Sequence, residues 1–262
     1  MPVDNAIYDR HADWWWRDDA LPIVLRLGYN PARLGYMRRV IEQVHGIDPR
    51  GKAVLDVGCG GGLLAEEFAR LGCRVTGVDP SSGSTEMACQ HAREAGLHID
   101  YRTAPGEQLP FTDASFDLVY CCDVLEHVDD LDRVLAESAR VLRPGGLYLF
   151  DTINRTFRSW LLAIKLFQDW DATRFMEPNL HDWRMFITPG ELKRALHRHG
   201  LRHRQFVGLV PGLSPIAAIG HMRRRRRGEL SFSEFARRLA MREGRDTSVS
   251  YAGYAVKRTD TM

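Results

Sequence analysis

The chain has 262 residues, 44% of them hydrophobic and 27% charged, with a net charge of +2 at neutral pH. That length supports a full hydrophobic core. The balanced charge gives no global reason to expect a nucleic-acid partner, and no apolar run reaches the ~20 residues that span a bilayer.

Residues 1–45 carry helical patterns and an aromatic cluster, Trp14-Trp15-Trp16 with Tyr8 upstream. This cluster either walls a ring-binding pocket or anchors the N-terminal helix on the core. The polar, acidic start "MPVDNAIYDRHADWWW" is unlike a secretory signal. From residue 50 short β-rich runs alternate with helical ones, which predicts an α/β fold with a mostly parallel sheet and helices on both faces. Strands are expected at 53–59, 74–79, 99–104, 116–122 and 147–153. Helices are expected at 63–72, where Gly72 is a stop, at 84–96, and at 131–146, closed by Pro-Gly-Gly. Residues 155–187 are rich in aromatics and arginine. Thr188 and Glu191 form a capping box with Pro189 at the first helical position, so a helix should run over 188–199. The strand-like 202–210 and 248–257 complete the sheet as an antiparallel edge. A polar, partly helical insertion lies between them, at 221–246. No internal repeat and no second domain is visible. The expected organisation is one domain, with a cap (1–45), a core (50–154), a lid or membrane-contact segment (155–187) and a C-terminal completion (188–257) that carries an insertion at 211–247. Five cysteines (59, 73, 89, 121, 122), in no framework or zinc-like spacing, are expected to be reduced thiols of a cytoplasmic protein.

The most informative stretch is "VLDVGCGGGLLAEEFARLGCRVTGVD", 54–79. A strand ends at Gly58 and a helix opens directly after Gly60, Gly61 and Gly62. Glycines there let the backbone turn sharply and approach a ligand. Asp79 ends the next strand, where a carboxylate can accept both ribose hydroxyls of an adenosine. Two cofactor classes fit. A dinucleotide loop would put its third glycine where Leu63 stands. A site for S-adenosylmethionine (SAM) has no pyrophosphate and uses an acid just before the loop, which Asp56 supplies.

A second cluster lies in "CCDVLEHVDD", 121–130. If this segment is helical, Asp123, Glu126 and His127 share one face at i, i+3 and i+4. They would then address a metal, a substrate hydroxyl or water.

"LPFTDASFDLV" (109–119) and "VLRPGG" (141–146) resemble the later motifs of class I SAM-dependent methyltransferases. The likeness extends further. "NPARLGYM" (30–37), "LDVGCGGGLLAE" (55–66), "CDVLEHV" (122–128), "NRTFRSWL" (154–161), "HDWRMFITPGEL" (181–192) and "VSYAGYAV" (249–256) resemble, in order, the ubiquinone-biosynthesis O-methyltransferases. The resemblance implies the class I methyltransferase Rossmann-like fold, SAM as cofactor, and SAM contacts from Arg33, Gly58, Asp79 and Cys122, beside Asp56 and Gly60 of the loop. It also implies that Asp123, Glu126 and His127 hold a divalent cation, usually Mg²⁺, and that the acceptor is a catechol-type hydroxyl on a prenylated ring. The chemistry is consistent with that: a phenol's pKa is near 10, and Mg²⁺ on both catechol oxygens would lower it. His127 is then a ligand, or the base that takes the proton.

Residues 154–174 mix Phe157, Trp160, Ile164, Phe167 and Trp170 with Arg155, Arg158, Lys165 and Arg174. Such a segment can lie in a membrane interface or pack over the site as a lid. Arg223–Arg227 offers five positive charges to phospholipid headgroups or to RNA, or is a solvated loop. The enzyme is therefore expected in the cytoplasm, with a peripheral membrane contact as a further expectation; its oligomeric state is not encoded legibly. Residues 17–29 and 211–247 depart from the family pattern where the acceptor pocket is built. A methyltransferase of another soluble aromatic is the rival within the class. A nicotinamide oxidoreductase is disfavoured by Leu63, and a non-catalytic subunit by the intact glycine loop and Asp79.

Overall fold

The computed structural model describes residues 7–171 and 173–259; the first six residues of the expected cap, position 172 of the lid segment and the last three residues lie outside this range. Eight strands form one sheet in the order β3-β2-β1-β4-β5-β8-β6-β7. They are β1 (Ala53–Val57), β2 (Arg74–Asp79), β3 (Asp100–Thr103), β4 (Phe116–Cys122), β5 (Leu142–Ile153), β6 (Leu201–Val210), β7 (Arg242–Gly244) and β8 (Ser250–Lys257). The first five are mutually parallel. Strand β8 runs antiparallel between β5 and β6, and the short β7 pairs antiparallel with β6.

Strand β4 shows why helices cover both faces. Leu118 and Tyr120 pack with Phe68, Tyr36 and Met37, while Val119 and Cys121 pack with Val134, Leu135 and Leu192. Successive residues point to opposite faces, and all four are fully buried, so neither face can meet water. The helix over 131–141 begins where the Asp130 carboxylate accepts the Arg133 N–H at 3.0 Å. It ends earlier than the sequence suggests. Leu142 is already extended, and residues 143–146 form an irregularity between the Phe116–Leu142 and Leu118–Leu147 pairs. Pro144 and Gly145 (φ +79°) favour that excursion over another helical turn. The Thr188–Glu191 capping box forms as expected.

The insertion is helical over Pro215–Arg226 and Phe232–Leu239. Met222, Phe232 and Phe235 pack there against Ile23 and Val24 of the N-terminal helix in a separate small core. The two stretches that depart from the family pattern are thus packed on one another. The arginine run is not a loop: it forms the end of the first of these helices, where positive charge complements the helix dipole. Arg225 stacks over Phe232, Arg226 donates to the Asp171 carbonyl, and Arg224 and Arg227 pair with Glu229. All five cysteines are free thiols.

Candidate active site

In this strand order, β1 has β2 on one side and β4 on the other, and connections leave in opposite directions at that point. A crevice opens there at the carboxyl ends of the strands. The glycine loop after β1, Asp79 at the end of β2, and Cys122 and Asp123 at the end of β4 all reach it. A cavity of about 860 Å³ occupies the crevice, and Arg33, Asp56, Gly58, Gly60, Asp79 and Cys122 line it. Asp123 and His127 also line it.

The loop is shaped by glycine at two decisive places. Gly58 has φ +76° and Gly60 has φ +50°, and a Cβ would run into Val124 at the first and into the Trp15 ring at the second. The Gly60 N–H donates to Asp79 Oδ2 at 2.9 Å, and the Ser81 N–H to Asp79 Oδ1 at 3.0 Å. Asp79 therefore ties the loop to β2 while its carboxylate faces the cavity. Burial raises its pKa to about 6, against these two hydrogen bonds. Asp56 lies deeper; it accepts the Tyr120 hydroxyl at 2.9 Å, and burial pushes its pKa up to about 8.

The N-terminal aromatics close over this loop and anchor there, and Tyr8, Trp14 and Trp15 also line the cavity. Trp15 donates through Nε1 to Ser84 Oγ at 2.9 Å, Trp16 to the Gly61 carbonyl at 2.9 Å, and Ser81 Oγ donates to Asp9 at 2.5 Å. Tyr8 stacks on Trp15 and meets His127 edge-on, with centroids 5.8 and 6.5 Å away.

The segment after β4 is a turn, not the helix on which a shared face depended. Asp123 sits at φ +53°, the His127 N–H closes on the Val124 carbonyl at 2.8 Å, and the next helix starts only at Leu131. The three side chains consequently diverge. Asp123 pairs with the buried Arg33, whose Nη2 also donates to Asp151 Oδ1 at 3.2 Å. Glu126 accepts from Thr152 Oγ1 at 2.7 Å, inside the core, and burial raises its pKa to about 8. Only His127 and Asp123 reach the cavity. Burial lowers His127 to about 4, so the imidazole is neutral.

The metal expectation finds no preformed site here. Among the described residues no three His, Cys, Asp or Glu side chains converge to hold an ion. Asp123 is paired with a guanidinium and Glu126 is held by Thr152 inside the core, so in this arrangement the two carboxylates are not a joint donor set for a hard cation. Arg33 likewise acts first as the partner of Asp123 and Asp151, while lining the cavity. SAM, in contrast, fits the residues present: the loop leaves room for close backbone approach, and Asp79 offers the carboxylate a ribose needs.

His181 carries no functional signal in the sequence beyond its place at the head of the "HDWRMFITPGEL" motif. The residue lines the same cavity, with its ring centroid 4.9 Å from that of His127. Asp151 and Thr152, which hold Asp123 and Glu126, were legible only as strand residues.

Crevice, glycine loop and Asp79 define a class I SAM-dependent methyltransferase. A family model described as "Methyltransferase domain" matches residues 55–150. Solved structures of like fold include a SAM-dependent methyltransferase from Aquifex aeolicus (TM-score 0.56, 15% identity, 90% of this chain and 93% of that one). Magnesium protoporphyrin IX methyltransferase from Synechocystis is another (TM-score 0.63, 16% identity, 97% and 95%). Among curated relatives, the ubiquinone biosynthesis O-methyltransferase of Methylobacterium sp. (strain 4-46) is 40% identical over 78% of this chain and 84% of its own length. That of Methylocella silvestris is 41% identical over 74% and 79%. The chain belongs to the ubiquinone biosynthesis O-methyltransferase family.

Proposed function

We propose that this enzyme transfers the methyl group of SAM to a phenolic hydroxyl of a ubiquinone-type precursor, a catechol ring with an apolar substituent. The observation that carries this reading is the composition of the crevice. Its floor holds the glycine loop, Asp79 and the neutral His127, and its outer part is lined by Leu162, Leu166, Phe167, Phe175, Met176 and Met222.

When bound, SAM supplies a methyl group on a positively charged sulfonium. Asp79 accepts from the ribose, the loop backbone approaches the cofactor closely, and Arg33 fixes Asp123 at the rim. His127 would accept the proton of an acceptor hydroxyl held beside it, while bound SAM would supply the methyl group and leave as the neutral thioether. The imidazolium formed then releases its proton to solvent with product. A depressed histidine pKa limits its strength as a base, but a phenolate forming beside it raises that pKa in the reacting complex. Fixed alignment of oxygen, carbon and sulfur contributes several kcal/mol more, on the order seen for oriented intramolecular reactions. No step runs through a cation.

The outer surface supports a peripheral membrane role within the same proposal. The lid helix over 157–169 turns Leu162, Leu166 and Phe167 to the cavity, while Phe157 and Trp170 at its ends are exposed. Arg158, Lys165 and Arg174 flank them. No helix among the described residues is long and apolar enough to cross a membrane.

The test is methyl transfer from SAM to a short-chain demethylubiquinol and to simple catechols, with magnesium or with chelator, and with products identified by mass spectrometry. Chelator-insensitive methylation of the quinol is expected. Transfer to none of these rings would remove the acceptor class, and a strict magnesium requirement would reinstate the cation.

A further inference from the structure

We propose that His181 is a second acceptor-binding imidazole, holding the hydroxyl adjacent to the one that is methylated. The inference rests on the catechol reading above and adds the residue that would select for it.

His181 follows the lid helix and enters the cavity beside His127. The two ring planes are inclined by 45° with centroids 4.9 Å apart. Two vicinal oxygens on one aromatic ring can each meet a separate imidazole at that separation, whereas a lone hydroxyl uses only one. The Nδ1 atom of His181 is buried and has no hydrogen-bond partner among the described residues. The ring is also placed with care. Phe186 packs edgewise on it at 5.9 Å, and the main chain is clamped on both sides by the buried Gln168. The His181 N–H donates to Gln168 Oε1 at 2.8 Å, and Gln168 Nε2 donates to the His181 carbonyl at 3.2 Å. Burial and then the neighbouring His127 hold the His181 pKa well below the ordinary value. The neutral ring has one donor and one acceptor nitrogen; with Nδ1 enclosed, Nε2 is the nitrogen left to meet a hydroxyl in the cavity.

The experiment compares a short-chain catechol-type ring with its analogue lacking the non-reacting hydroxyl. Affinities for the full-length enzyme are read by quenching of tryptophan fluorescence with S-adenosylhomocysteine present, so neither ligand need be turned over. The unsubstituted enzyme should prefer the vicinal diol by about tenfold, the worth of one hydrogen bond. His181→Ala should bring that ratio close to one while leaving affinity for the single hydroxyl nearly unchanged. His181→Phe, which keeps a ring against Phe186 but has no nitrogen, should do the same and serves if the alanine variant fails to fold. A preserved ratio in the variants, an equal loss for both ligands, or no preference in the unsubstituted enzyme would overturn the proposal. Failure of the catechol reading shows separately, as an unsubstituted enzyme that methylates no catechol.

Discussion

Asp79 accepts the N–H groups that shape the glycine loop, and in the proposed reading the same carboxylate also meets the ribose. Asp79→Ala should therefore weaken SAM binding by about 2–4 kcal/mol, the scale of two charge-assisted hydrogen bonds. Isothermal titration would show it, and unchanged affinity would remove the cofactor pose. Because burial lifts this carboxyl to about 6, SAM affinity should also fall as pH drops from 7 to 5. Asp56 gives a separate test, of stability. Its folded pKa of about 8 lies above its unfolded value, so the folded state binds the extra proton across the interval between them. Its stabilisation is fully present below about pH 4 and is lost as pH rises towards 8, on the order of 1 kcal/mol per pH unit for one group. Asp56→Asn keeps an acceptor for the Tyr120 hydroxyl and cannot titrate. Denaturant unfolding of this variant should show a flatter decline over that range; a slope equal to the parent's would place the proton elsewhere.

Local rules read some elements well and others poorly. Strand β2 and the Thr188 helix start fall where alternation, capping and proline place them, because those signals are contained in the segments. The turn at 121–130 does not, since the i, i+3, i+4 spacing of Asp123, Glu126 and His127 is equally compatible with a turn. The deciding partners, Arg33, Asp151 and Thr152, come from other elements: Arg33 is 90 residues away from Asp123. The lid is a similar case. Its amphipathic pattern was plain, but nothing in it shows that Gln168 grips His181 across 13 residues. That clamp gives a prediction for the element: Gln168→Ala should raise the acceptor KM about tenfold with SAM affinity unchanged, as expected when two hydrogen bonds that place a binding residue are lost. Equal loss of cofactor binding would mean that the lid is merely unstable.

At the scale of the molecule, the parallel half of the sheet and its cofactor crevice were legible because each strand, loop and carboxylate lies within one continuous stretch, 53–153. The outer side of the cavity was legible only as the stretches that depart from the family pattern, because the packing of the N-terminal helix, the lid and the insertion on one another joins residues distant in sequence. Ile23 and Val24 meeting Phe232 and Phe235 is the clearest instance. That assembly also sets what the outer surface can do. Phe157 is 70% exposed, Trp170 54% and Ile216 84%, on segments that wall the apolar part of the cavity. Large apolar side chains left in water beside basic ones suit insertion at an anionic lipid surface. The basic groups do not separate the two patches, since four members of the arginine run and the lid's Arg158, Lys165 and Arg174 are all engaged within the protein; the exposed aromatics favour the lid. Phe157→Glu with Trp170→Glu should therefore lower co-sedimentation with vesicles containing anionic lipid by about tenfold, removing two interfacial aromatics and adding two repelled charges. Methylation of a water-soluble short-chain quinol should be unaffected. If the double variant still binds the vesicles, the lid's outer face is not the contact. If both binding and soluble turnover fall together, its aromatics serve the closed form of the cavity instead.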